Sequence, residues 1–108
     1  MEEEILHLYQ EPAIGASYTN TYGEENIRKL LDKYRSLDKE GMRQMMEMVV
    51  NFSQSSDLAT SFVSVGVLHA LGQKEGVDEA YSWANTQGDA ERIISHFDIG
   101  KSVADYFS

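Results

Sequence analysis

The chain runs to 108 residues with no cysteine, one proline and 18 acidic against 9 basic side chains, for a formal net charge of −9. Hydrophobic residues at 42% and charged residues at 25% match an ordinary folded domain, which excludes wholesale disorder, and the missing cysteine excludes a disulfide framework, a thiolate nucleophile or a Cys-ligated zinc. The acidic balance argues against a nucleic-acid binder, which needs basic surface to displace counterions from phosphate, and favours a macromolecular partner that is itself basic.

Taken in order, the segments read as short helices. Glu2 to Gln10 forms a first helix, with Ile5, Leu6, Leu8 and Tyr9 apolar and three glutamates suited to a helix N-terminus, and Pro12 and Gly15 end it. Ala16 to Gly23 is polar and reads as a loop. Thr21 stands three residues before Glu24, the spacing of a capping box, and behind it Ile27, Leu30, Leu31 and Tyr34 mark one stripe of an amphipathic helix. Asp38 caps the next segment, in which Met42, Met45, Met46, Val49 and Phe52 recur at helical spacing, with Met48 alone off the stripe.

Asp57 or Ser56 caps a third long segment that ends at Gly72, a C′ glycine. Its apolar residues surround the helix axis, which marks the buried centre of a small domain. Residues 62–67 also alternate with period two, as a strand would; the continuation through Leu68 to Leu71 and the flanking helices favour helix. Glu75 to Gln87 follows, with Val77, Ala80, Tyr81 and Ala84 on one face, and Gly88 stops it. Asp89 caps a short helix through Ile93, Ile94 and Phe97, and Asp98 caps a last one through Val103, Tyr106 and Phe107. The expected fold is all-α, a compact bundle or irregular array of six to seven short helices. One helical domain over 1–108 is expected, with an N-terminal helix and polar loop at 1–23 and a helical core at 24–108.

The N-terminus, Met1-Glu2-Glu3-Glu4, has neither the positive charge nor the apolar stretch of a signal peptide, and the most apolar run, Phe62 to Leu71, is too short to span a bilayer. A soluble, cytoplasmic protein with no membrane partner is expected.

No catalytic or cofactor motif emerges. His7, His69 and His96 lie far apart and lack metal-ligand spacing; His69 shares a wheel face with Leu58, Phe62 and Val65 and reads as a hydrogen-bonded core histidine. Gly100-Lys101-Ser102 resembles the end of a P-loop, but Ser95 stands where the first glycine belongs. The neighbouring carboxylates Glu24/Glu25 and Asp78/Glu79 point to different helix faces, which does not suit an acid–base pair. The expectation is a non-enzymatic protein with no cofactor and no metal.

What remains is surface. Residues 1–25 carry −6, residues 28–43 carry +3, and residues 44–108 carry −6. The basic stretch around Arg28, Lys29, Lys33 and Arg35 reads as a solvated helix face, with internal docking of acidic segments as the other reading. In the C-terminal third, Glu75, Asp78, Glu79, Asp89, Glu91 and Asp98 accompany the chain's one tryptophan, Trp83, at the shoulder of its helix stripe. An aromatic anchor beside steering acids suits a basic protein partner, and these seven residues are the expected partner-binding site. The other use of such acids is capping and solubility, which fits Asp89 and Asp98 best.

A short, cysteine-free, strongly acidic helical chain without catalytic apparatus resembles bacterial immunity proteins of contact-dependent growth inhibition systems, including those paired with ribonuclease toxins. The likeness is one of overall type over Glu24 to Phe107 and passes on no residue roles. It implies a protein that binds and neutralises a cognate basic toxin domain, a nuclease, with no nucleic acid of its own; oligomeric state is left open. A second reading is a helical adaptor that docks a peptide or helix in a groove lined by Met42, Met45, Met46 and Met48, because thioether side chains repack easily, although their helical spacing reads first as a core face. A third is a small enzyme or ligand-binding bundle that uses His69 and nearby polar groups.

Overall fold

The computed structural model describes residues 1–107. Six α-helices account for most of them: α1 (Glu2–Gln10), α2 (Glu24–Ser36), α3 (Lys39–Phe52), α4 (Leu58–Ala70), α5 (Lys74–Asn85) and α6 (Ala90–Ala104). Single 3₁₀ turns at Tyr18–Asn20 and Asp105–Phe107 complete the order, and the described residues include no strand. The period-two pattern at 62–67 is thus helical. These residues are buried on every side, so both periods satisfy the same apolar requirement and only helical partners decide between them.

The organising element is α4, on which α2, α3, α5 and α6 all pack. Every residue from Ser61 to Leu68 is buried, and two of them, Ser61 and Ser64, are polar. Each satisfies its hydroxyl within the helix, Ser61 by donating to Leu58 O at 3.0 Å and Ser64 by donating to Thr60 O at 2.8 Å. Ser64 also meets the Tyr9 hydroxyl at 2.6 Å, which ties α1 to the centre, and Ile5 and Tyr9 of α1 belong to the same buried cluster.

The closest packing is between α4 and α6. A Cβ added to Gly100 would lie 2.5 Å from the Phe62 carbonyl oxygen, and one added to Gly66 would lie 2.9 Å from the Gly100 carbonyl oxygen. The two backbones therefore touch. The same requirement overturns the reading of a break at Asp98: α6 runs unbroken from Ala90 to Ala104, so Asp98 sits mid-helix and caps nothing. It accepts a hydrogen bond from the Tyr81 hydroxyl at 2.6 Å instead, a tertiary partner that displaces the local capping role.

Helix ends follow the sequence in most places. Asp38 accepts from Gly41 N–H at 2.8 Å and Asp57 from Thr60 N–H at 3.1 Å, as N-caps do. After α4, Gly72 adopts φ +70°, its N–H donates to His69 O and the Gln73 N–H donates to Leu68 O, the paired bonds of a Schellman ending. Besides Asp98, two expected caps are absent. The Asp89 side chain makes no cap bond and pairs with Arg92 at 3.1 Å. Thr21 bonds back to Tyr18 O rather than capping α2, whose N-cap is Gly23 at φ +73°. A Cβ there would lie 2.7 Å from Val63 Cγ2, so the loop enters α2 against α4, where only glycine fits.

The capping work passes to Asn20. It is buried, accepts from the Glu25 N–H at 3.0 Å and donates to Asn26 Oδ1 at 2.9 Å. Asn26, also buried, donates to both Leu8 O and Pro12 O at 3.0 Å, pinning the end of α1 and the following turn onto α2. Among the described residues, no buried side-chain polar atom lacks a partner.

Candidate interaction surface

The outer side of α5 follows from its own sequence. Val77, Ala80 and Ala84 are buried, so Glu75, Asp78 and Glu79 lie on the exposed side and Trp83 falls at the boundary, half-buried and packed against the core. Beside Trp83 is an open hollow of about 500 Å³ lined by Gln54, Asp78, Glu79, Ser82, Trp83 and Thr86. Asp78 and Glu79 both border this hollow although they point about 100° apart, and Asp78 alone reaches the next hollow towards Lys74 and Lys101. On its other edge, Trp83 lines a small cleft of about 110 Å³ with Leu58, Ser61, Gln87, Asp89 and Arg92.

The seven expected site residues therefore do not form one patch. Asp78, Glu79 and Trp83 come together, with Glu75 one turn earlier on α5. Asp89 reaches Trp83 through the cleft, but its charge is balanced by Arg92. Glu91 and Asp98 are exposed on α6, two turns apart, and line neither cavity. Asp98 is occupied by Tyr81, whose phenol is held above its ordinary pKa first by burial and then by the adjacent Asp98 carboxylate. Lys101 lies 5.0 Å above the Tyr81 ring, and a further hollow collects His69, Lys74, Asp78 and Lys101. Its two lysines bound the acidic character of the α5 face at Asp78.

Some acids elsewhere have internal work. Glu4 pairs with Lys33 at 2.7 Å between α1 and α2, and its carboxyl lies below the usual range chiefly because of that hydrogen bond. Of the basic residues read as a docking face, Lys33 makes that contact, whereas Arg28 pairs with Asp32 within α2. Arg43 holds both Glu40 and Glu47 on α3. Among the described residues, Glu75, Asp78, Glu79 and Glu91 have no such partner.

His69 is not the core histidine expected. Its side chain is 34% exposed and its Nε2 lies 2.7 Å from Asp105, fastening the last turn to α4. The wheel position was right, but Gly72 ends the helix one turn later and leaves that position at the rim. The methionines divide: Met45 is fully buried, Met48 is half-buried against the core, and Met42 and Met46 line a surface groove. Sequence reasoning missed Asn20 and Asn26 altogether; the one available signal was a pair of short amides around an expected helix start. A comparison with family models, curated proteins and solved structures found no match.

Proposed function

We propose that this protein binds and neutralises a basic toxin domain, a nuclease, with the outer face of α5 as its principal contact. One observation carries the reading: the only tryptophan stands half-buried beside a hollow rimmed by Asp78 and Glu79, carboxylates in no ion pair among the described residues, in a chain of net charge −9. A ring partly sunk in the core loses little conformational freedom on binding and supplies apolar area, the attributes of an interface anchor. Carboxylates not committed to internal pairs attract a surface built to grip phosphate, and the field of the whole chain adds to their pull at a distance. Occupying that surface denies it to nucleic acid and requires no catalytic group on the inhibitor. All-helical architecture and the likeness in overall type to immunity proteins agree with this reading.

The test is co-expression with basic nuclease toxin domains, beginning with any that proves to be encoded beside this gene. Purified complex should form, nuclease activity should fall on stoichiometric addition, and Trp83→Ala should weaken the complex by about 2 kcal/mol, roughly 30-fold. A complex indifferent to Trp83→Ala and to reversal of Glu75, Asp78 and Glu79 would remove α5 from the account. No complex with any basic nuclease domain would remove the function.

A further inference from the structure

Opposite in chemistry to α5 is a groove of about 650 Å³ beside α3, lined by Tyr34, Met42, Met46 and Val50 with Lys39, Arg43 and Glu47 at its rim. Met42, Met46 and Val50 stand at i, i+4 and i+8 on α3 and are half-exposed, whereas Met45 and Val49 face the core. The helix thus carries a second apolar stripe, about 12 Å long, whose inner edge packs on the core at Met46 and Val50 and whose outer edge opens into the groove. Methionine suits a surface that must fit an incoming side chain, because its three rotatable bonds let it repack at low cost.

The rim identifies what covers it. Arg43 is already neutralised by Glu40 and Glu47, and that pairing holds the Glu40 carboxyl below its usual range. Lys39 is different: it is exposed, lies in the first turn of α3, and has no acidic partner among the described residues. A cation there faces the positive end of the helix dipole, so a carboxylate brought to it meets two favourable charges together. Within the groove's own lining the two bases, Lys39 and Arg43, outnumber the one acid, Glu47. The distant acids do not cancel this locally, because physiological salt screens beyond about 8 Å.

We infer that this groove docks a short segment of a partner protein, apolar along one face and acidic at the end that meets Lys39. The site is separate from α5 and does not depend on which partner α5 meets.

Methionine-methyl NMR on the full chain tests it, with a synthetic amphipathic helix of about 12 residues as probe, long enough to cover the stripe. The probe carries leucines at i, i+4 and i+8 and glutamates at both ends; a counterpart has lysines in place of the glutamates. The acidic peptide should shift the Met42 and Met46 methyl signals in a saturable way and leave the buried Met45 methyl in place. Lys39→Glu, an exposed first-turn change that suits the helix dipole and so keeps the fold, should weaken that binding about fivefold, the scale of removing and reversing one exposed pair. Three results would overturn the inference: no movement of Met42 and Met46, equal movement with the lysine peptide, or movement of Met45 alongside them.

Discussion

Replacing Gly100 with alanine puts a methyl group where the crossing of α4 and α6 has no room. The added Cβ would lie 2.5 Å from the Phe62 carbonyl oxygen. Reaching an ordinary contact of about 3.4 Å requires the helices to part by roughly 0.9 Å, and a carbonyl fixed in a helix cannot rotate aside as a side chain tip would. Overpacking of this kind costs about 1–3 kcal/mol, and the rigid obstacle points to the upper end. Alanine's better helix propensity returns about 1 kcal/mol. The net expectation is a loss of about 2 kcal/mol, or roughly 10 °C in Tm for a chain of this size. Gly88→Ala is the internal control, because nothing lies within 4 Å of its added Cβ. It should change stability by no more than about 0.5 kcal/mol. Thermal and urea melts followed at 222 nm decide between them. A Gly100→Ala variant as stable as the parent, or a Gly88→Ala variant equally damaged, would refute the close crossing.

Three further outcomes are expected. Asn26→Ala strands the Leu8 carbonyl, leaves Pro12 O only a long bond from Asn20 and removes the acceptor of Asn20 Nδ2, so it should cost about 2–3 kcal/mol, with hydrogen-exchange protection in α1 lost first. The exposed Lys33–Glu4 pair on the same helices is a contrast, and Lys33→Met should stay within about 0.5 kcal/mol in urea melts. Tyr9 gives a pH dependence: burial, the larger effect, raises its phenol pKa against the lowering effect of the Ser64 bond, so the folded state holds that proton more tightly than the unfolded state. The stability it contributes is full below about pH 10, the unfolded value, and is lost as pH rises from there through the folded value. Tyr9→Phe should cost about 1 kcal/mol at neutral pH yet lose less stability in alkali than the parent, measured as urea midpoints against pH.

Much of the fold is legible in the chain because local rules and tertiary needs coincide. Asp38, Asp57 and Gly72 are placed by capping chemistry that acts within four residues, and the structure uses all three as read. Legibility fails where a distant partner overrides a local preference. Asp98 looks like a cap until Tyr81, 17 residues away in sequence, engages it, and α6 continues through it. Gly100 carries no legible role in the sequence beyond a rejected phosphate-loop likeness, because its reason is Phe62 lying against it. Thr21 satisfies a spacing rule, but the approach of Gly23 to Val63 decides how the chain enters α2, and Asn20 supplies the cap. The interaction surface shows the same division. Composition points to the acids near Trp83, but only packing separates the uncommitted Glu75, Asp78 and Glu79 from Asp89 and Asp98, which Arg92 and Tyr81 occupy.

The uncommitted acids of α5 are also where the functional account is most exposed to test. Affinity for the basic toxin domain captured in the co-expression test, measured by titration calorimetry across a salt series, should fall steeply as salt rises. Charge reversal at Glu75, Asp78 and Glu79 together should lower it by about a hundredfold or more and flatten the salt dependence, while the 222 nm signal stays unchanged. An affinity that survives both the salt series and the reversal would contradict the claim that this face of α5 holds a basic toxin.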